Sequence, residues 1–503
     1  GSGTARRPEK RHQKFFEMKI YKSIKLGQAL LALAVSVVAW PSASAEENPL
    51  DRYVAKPDPA YEYRLLSTDK GRGYTAYILE MTSQTFLTKA DVDRTLWKHW
   101  VIIVKPTKVR HQTGMLMITG GSNGKEPPTK ASDMVVQTAV KTGSVVAELK
   151  MVPNQPLRFT GEDRDRYEDA FIAYTWDKYL RTGDERWPAR LPMTKAGVRA
   201  MDTITDFLAK PESGSVTVDK FVVAGASKRG WTTWSVAAVD KRVVAIVPIV
   251  IDMLNVVPSF KHHYRAYGGY SPAVKDYQEM GIMGWQDTPE YKRLMKFVEP
   301  YEFRERFTMP KFLINACGDQ FFLPDSWKFY YHDLIGQKHL RYVPNTGHSL
   351  GGTDAVYSMV AYYNGILNRA KLPEYEWAVQ EDGSIKVTTA TQPREVLLWQ
   401  CSNPEGRDFR IEVTDKTWTS SRLRPEARGT YVGRVPVPAK GWTAFMVELT
   451  YPETAKRSRK VKLGGRLGQA RETIGIPYKF TTGVHVLPEK MPFEFKPSPI
   501  PGR

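Results

Sequence analysis

Two textures of apolar and polar positions divide the chain. Between about residues 95 and 370, short apolar runs alternate with amphipathic stretches. Residues 97–106 mix aromatic and β-branched side chains and predict a strand. Met115–Thr119 predicts a buried strand that stops at the loop Gly120-Gly121-Ser122-Asn123-Gly124. Residues 144–149, 220–224, 243–251, 312–319 and 340–344 predict five more strands. Helical spacing of apolar residues falls between them, over 131–142, 165–181, 195–208 and 231–239. Near-continuous apolar strands separated by helices predict a mostly parallel sheet with helices on both faces. After Pro373 the apolar period shortens to two. Strands are predicted at 376–378, 385–389, 396–400, 409–413, 429–436 and 444–450, with turn residues between them. That pattern predicts a β-sandwich of immunoglobulin-like type over 373–454. Residues 455–503 are basic and Pro-rich and read as a tail that packs back.

The N-terminal 45 residues read as an address. Residues 1–17 precede Met18 and are taken as an expression scar or an over-extended reading frame. Lys19, Lys22 and Lys25 form a basic region before the apolar run Leu30–Trp40. Pro41 and the small residues Ala43-Ser44-Ala45 complete the pattern of a signal peptide over 18–45. The expectation is an exported chain, periplasmic or secreted, with no integral membrane segment after signal removal. An α/β domain then occupies 46–372.

Composition narrows the chemistry. The chain has 503 residues, of which two are Cys and nine are His. The His residues lack zinc-ligand spacing, so no metal site is expected. Cys317 and Cys401 are read as two buried thiols. The net charge is +19, but the basic residues are dispersed and match no nucleic-acid motif. No nucleic-acid partner is expected, and the oligomeric state is left open.

Gly225-Ala226-Ser227 lies between a buried strand and a helix, the context of a nucleophile elbow. The sharp turn there needs small neighbours. The usual second glycine would fall at 229, where Arg229 stands, with Gly230 one place later. The competing reading of Ser227 is a helix N-cap. His348 follows one predicted strand and Asp319 follows the strand before it. The order Ser, Asp, His is that of α/β-hydrolases. A Ser hydroxyl needs an imidazole to take its proton, and the imidazole needs a carboxylate to hold its tautomer. Asp325 is the alternative acid, read instead as the N-cap of a helix over 327–334. Oxyanion donors are expected from the Lys228 N–H and from Gly121 or Ser122. The loop at 120–124 lacks the Lys-Ser/Thr ending of a phosphate-binding loop. An insertion at about 252–310 carries many aromatics and is expected to form a lid. Its Tyr264, Tyr267 and Trp285 are candidate substrate contacts, or else the insertion's own core. An acidic cluster that includes Glu168 and Asp169 opens a helix. It either favours the helix dipole or binds a substrate amino group.

Several segments resemble the PhoPQ-activated pathogenicity-related protein family: Gly225–Trp234, Val152–Pro156, Ala173–Lys178, Arg190–Lys195, Asn315–Asp325 and Tyr342–His348. The resemblance spans most of 50–490, and within that family Arg229 is the expected residue. It implies an α/β-hydrolase fold, similarity to secreted serine esterases and peptidases, and export from a bacterium. Together these readings predict an α/β-hydrolase domain with a C-terminal β-sandwich. They also predict a secreted serine hydrolase with Ser227, Asp319 and His348 as catalytic residues and no cofactor. A carboxylesterase or lipase-like activity on a small-molecule acyl substrate is favoured. A peptidase or aminopeptidase acting on a peptide, and an inactive virulence-associated binding protein, are the alternatives.

Overall fold

The computed structural model describes residues 48–463, 466–472 and 474–502. The signal-like segment lies outside them. A helix α1 (Pro49–Ala55) precedes a hairpin, β1 (Glu62–Gly71) and β2 (Tyr74–Thr85). The α/β region follows as β3 (Leu96–Pro106), β4 (Thr113–Ile118), α2 (Asp133–Thr142), β5 (Val146–Leu149), α3 (Glu168–Thr182), α4 (Arg190–Ala209), β6 (Lys220–Ala226), α5 (Lys228–Val239) and β7 (Val243–Ile249). The insertion carries α6 (Val256–Tyr267), α7 (Lys275–Glu279) and α8 (Pro289–Val298). Then come β8 (Lys311–Ala316), β9 (Lys338–Val343) and α9 (Ala355–Leu367).

These strands form one sheet in the order β1-β2-β3-β5-β4-β6-β7-β8-β9. The pairs from β5 to β9 are all parallel, and β1, β2 and β3 add an antiparallel margin. With helices on both faces, this is the α/β-hydrolase arrangement. The apolar runs are continuous because each parallel strand is buried on both sides. Along β4, Leu116 and Ile118 enter the core on one face, while Met115 and Met117 enter the core on the other. After β4 the chain moves outward to β5, then returns across to β6. A crevice opens at such a reversal, beyond the carboxyl ends of β4 and β6.

The C-terminal region comprises β10 (Tyr375–Val379), β11 (Ile385–Thr389), β12 (Glu395–Asn403), α10 (Ile411–Thr414), β13 (Thr419–Arg422), β14 (Thr430–Gly433) and β15 (Trp442–Tyr451). A hairpin of β16 (Arg457–Leu463) and β17 (Arg466–Glu472) precedes β18 (Tyr478–Thr481) and β19 (His485–Leu487). Strands β10, β11 and β14 form one antiparallel sheet; β13, β12, β15, β18 and β19 form the other. Ile385 and Val387 of the first share an apolar cluster with Leu398 and Val447 of the second. The same cluster contains Phe312 of β8 and Tyr362 of α9, so one core runs across residue 372.

Three local expectations fail. The β1–β2 hairpin was not foreseen, because β1 is largely solvated and lacks an apolar run. Residues 409–413 are no strand: the Asp408 carboxylate accepts from Arg410 N (3.1 Å) and the chain turns into α10. The stretch 327–334 forms two short 3₁₀ turns, Ser326–Phe329 and Tyr331–Asp333, in place of one helix. Within 455–503, β18 and β19 complete a sheet. The last residues strap the insertion, with Phe493 N donating to Arg265 O (3.1 Å) and Phe495 against Tyr264.

Candidate active site

Ser227 ends β6 and starts α5. Its backbone sits at φ 56°, ψ −124°, a sparsely populated region for a side-chain-bearing residue. The strand and helix approach so closely that Gly is required beside it. A Cβ on Gly225 would lie 2.5 Å from the Arg229 carbonyl oxygen. Ser227 makes no side-chain capping bond. Its partly exposed hydroxyl stands at the crevice that the sheet order creates. Lys228 is the first residue of α5, so its N–H has no acceptor within the helix.

Asp319 lies in the loop after β8 and is buried; His348 lies in the loop after β9 and is half-buried. The His348 Nδ1 is 2.8 and 3.0 Å from the two Asp319 carboxylate oxygens. A carboxylate only accepts, so Nδ1 carries the hydrogen and Nε2 is left as a base. Asp319 is itself fixed by the backbone N–H groups of Phe321 (2.7 Å) and Phe322 (3.3 Å). His348 rests against the Phe321 ring at 4.3 Å, and its own N–H donates to Gln320 Oε1 (2.9 Å). Phe321, Phe322 and Ser227 line one cavity. Among the described residues no hydrogen bond joins the Ser227 hydroxyl to His348. Such contacts commonly tighten only when substrate is bound. Asp325 is engaged elsewhere: it bonds the buried Arg407 (2.6 Å) and His262 (3.0 Å) and the partly exposed Lys328 (2.8 Å), and it makes no side-chain capping bond to the 3₁₀ turn it precedes.

The cavity is a narrow slot with about 530 Å³ of empty space including its mouth. The insertion roofs it with Val256, Phe260, Val274, Tyr277, Ile282 and Met283. Trp176, Trp231 and Ile251 form other walls, and Asp169, Arg190 and Lys228 supply charge. Of the candidate contacts, Asp169 lines the slot. Tyr264 packs on Tyr270 and Phe495, Tyr267 lies under Arg410, and Trp285 is in the core. Side chains of the insertion thus line the cavity, but they are not the expected Tyr264, Tyr267 and Trp285.

Arg229 explains the departure from the usual elbow. Its guanidinium grips Glu168 with two bonds (2.6 and 2.7 Å), and its Nε donates to Val152 O (2.5 Å). Glu168 also takes the Lys228 ammonium (2.9 Å), and Asp169 takes the same ammonium at 3.0 Å. Burial alone would raise the Glu168 carboxyl; Arg229 and Lys228 overcome it and hold it at about 2. The two carboxylates are therefore paired with the elbow's own cations. Gly121 and Ser122 lie in the loop after β4. Gln155 donates to Gly121 O (3.2 Å), and a Cβ on Gly120 would strike Arg229. The loop is thus held beside the elbow, although neither Gly121 nor Ser122 lines the slot.

The sequence pattern of PhoPQ-activated pathogenicity-related proteins matches residues 50–410. The chain belongs to this family. It is similar to the autocrine proliferation repressor protein A of Dictyostelium discoideum, at 36% identity over 494 residues, covering 93% of this chain and 95% of that protein. Solved structures with a distant likeness include acetyl xylan esterase 1 from Thermoanaerobacterium sp., at 15% identity and a TM-score of 0.40 over 60% of this chain and 87% of that one. An acylaminoacyl peptidase from Pyrococcus horikoshii follows at 13% identity and a TM-score of 0.35, over 62% and 49%. In this member of the PhoPQ-activated family, Cys317 and Cys401 are free, buried thiols. No helix among the described residues is long and apolar enough to cross a membrane.

Sequence reasoning gave no role to Arg190 or Gln320, and counted Tyr277 only among the aromatics of the insertion. Each lies in or beside a segment that carries the family resemblance or the lid, but spacing alone does not show what it touches.

Proposed function

We propose that this protein is an exported serine hydrolase that cleaves an ester through an acyl-enzyme. The observation that carries the reading is the His348–Asp319 pair packed against Phe321 and Phe322, which line the same cavity as Ser227 in its strained elbow. Ser227 Oγ attacks the acyl carbon while His348 Nε2 takes its proton. Asp319 holds the imidazole and stabilises its charged form. The Lys228 N–H, with Gly121 or Ser122, donates to the developing oxyanion. His348 then protonates the leaving alcohol, and water repeats the sequence to release the acid. The apolar slot supports a substrate with an apolar acyl group. The aminopeptidase alternative rested on the acidic cluster, whose carboxylates are paired with Lys228 and Arg229. Export is supported by the signal-like segment 18–45 and by the word "autocrine" in the name of the Dictyostelium relative.

A fluorophosphonate probe tests the reading. Ser227 should carry the adduct, and Ser227→Ala should lose it, together with at least about a 10⁴-fold fall in p-nitrophenyl ester turnover. Aminoacyl nitroanilides should turn over more slowly than the esters. A folded protein with no adduct on Ser227 would favour the inactive binding protein.

A further inference from the structure

One cation at the slot beside Ser227 makes no direct salt bridge among the described residues. Arg190, the first residue of α4, is 4% exposed and lines the slot. Its Nη1 donates to the Lys228 carbonyl (3.1 Å), and its plane lies 4.3 Å from the Trp231 ring centre. Its Nε has no hydrogen-bond partner. The nearby carboxylates are committed elsewhere. Glu168 is held by Arg229 and Lys228, and Asp169 by Lys228 and the Tyr277 hydroxyl (3.1 Å). Among the described residues Arg190 forms no ion pair. Lys228 and Arg229 thus hold Glu168 and Asp169 directly, and Arg190 is left with the more distant Asp169 charge and the Tyr277 hydroxyl. A buried guanidinium without a direct salt bridge is costly: burial lowers the pKa of Arg190, and the Tyr277 hydroxyl and the Asp169 charge offset it only in part. Its planar fork matches a carboxylate, which accepts two parallel N–H bonds. The walls around it are apolar, with Trp176, Val256, Phe260, Ile282 and Met283.

We infer that the slot takes a short acyl group, apolar along its length and ending in a carboxylate, which Arg190 receives while the acyl carbon lies at Ser227. The distance is short because Arg190 binds the carbonyl of the residue next to Ser227. This rests on the hydrolase reading for the position of the acyl carbon. The anion site itself is tested without turnover.

The probes are monomethyl glutarate, which carries one carboxylate, and dimethyl glutarate, which is neutral. Binding to Ser227→Ala is followed by tryptophan fluorescence, since Trp231 stacks on Arg190. The anion should bind at least tenfold more tightly than the diester. In Ser227→Ala/Arg190→Met the ratio should fall to near one, and Arg190→Lys should keep part of it. Equal affinity for the two probes in Ser227→Ala would overturn the inference, as would a ratio that survives Arg190→Met. If Arg190→Met does not fold, the probe ratio in Ser227→Ala and in Arg190→Lys still decides. An unlabelled Ser227 in the fluorophosphonate assay would count against the hydrolase reading alone.

Discussion

Replacing Glu168 by Gln removes the anion that ties α3 to the elbow and leaves the side chain's shape. The carboxylate accepts two bonds from Arg229, one from Lys228 and one from Gln155 Nε2 (2.6 Å), while the Glu168 backbone N–H donates to Gln155 Oε1 (2.7 Å). Its pKa falls from an ordinary 4.5 to about 2 despite burial. At about 1.36 kcal/mol per pH unit the difference is worth roughly 3 kcal/mol. The side chain is 39% exposed, so solvent screening reduces this to about 1.5 kcal/mol. A carboxyl whose folded pKa is depressed contributes fully above its unfolded value of 4.5, and loses that contribution as pH falls through about 2. The Gln variant lacks it at every pH. Roughly 450 residues are described. At about 2 cal/mol/K per residue their unfolding entropy is near 1 kcal/mol/K, so the melting temperature should drop by about 1.5 °C.

Calorimetry of both proteins at pH 7, 5 and 3 reads the difference directly. The gap between them should be constant from pH 7 to 5 and shrink to roughly two-fifths at pH 3. A gap that stays flat to pH 3, or widens on acidification, would refute the electrostatic account of the elbow. A flat gap would instead point to lost packing, which does not titrate.

Two further outcomes follow from buried groups near the site. Asp252 accepts from the Tyr330 and Tyr342 hydroxyls (2.6 and 2.5 Å), yet burial raises its pKa to about 8. A raised carboxyl stabilises the fold below its unfolded value of 3.8 and loses that contribution as pH rises through about 8. Asp252→Asn should therefore gain stability relative to the parent between pH 4 and 8 in thermal melts; an unchanged difference would contradict the assignment. Arg407→Met leaves the buried Asp325 without its 2.6 Å partner. Roughly 3 kcal/mol of stability should be lost, read as a melting temperature lower by about 3 °C. A change under 1 °C would show that His262 and Lys328 suffice.

The central sheet is legible in the sequence because burial on both faces leaves no polar position to interrupt runs such as Phe221–Ala224 and Phe312–Ile314. The loops that carry Ser227, Asp319 and His348 are legible for the same reason: each follows such a run. What was hidden depends on contacts distant in sequence. Residues 409–413 alternate as a strand would, yet Ile411 N binds Gly318 O (3.0 Å) and its side chain abuts Gly318 and Gly347. Arg229 looks like an error in an elbow until Glu168, in another element, supplies its partner. Arg190 lies in a segment that resembles the family, but its place at the slot depends on Lys228 and Trp231 of another element. In the insertion, Tyr277 faces the slot and Tyr264 does not, a choice made by the C-terminal strap that packs on Tyr264.

The C-terminal strands do more than follow the hydrolase sheet. Among the described residues strand β9, which delivers His348, is the last in its sheet and has one edge without a neighbouring strand. An open edge of this kind invites pairing with another chain. Here side chains close it. Tyr342 N donates to Thr481 Oγ1 (2.9 Å), and the Tyr375 hydroxyl lies within 3.5 Å of both the N–H and the carbonyl of Leu340. The loop beyond β9 is pinned by Asn345, which donates to the Trp418 carbonyl (3.0 Å) and accepts from the Trp418 N–H (2.9 Å). The loop after β8 is held by α10, and Gly318 N bonds Thr346 O (3.1 Å), coupling the two loops. The hydrogen-bonded pair of Asp319 and His348 thus depends on a scaffold whose outer half is β-sandwich. An α/β core ending at residue 372 would retain all three candidate catalytic side chains and lose the contacts that hold two of them together.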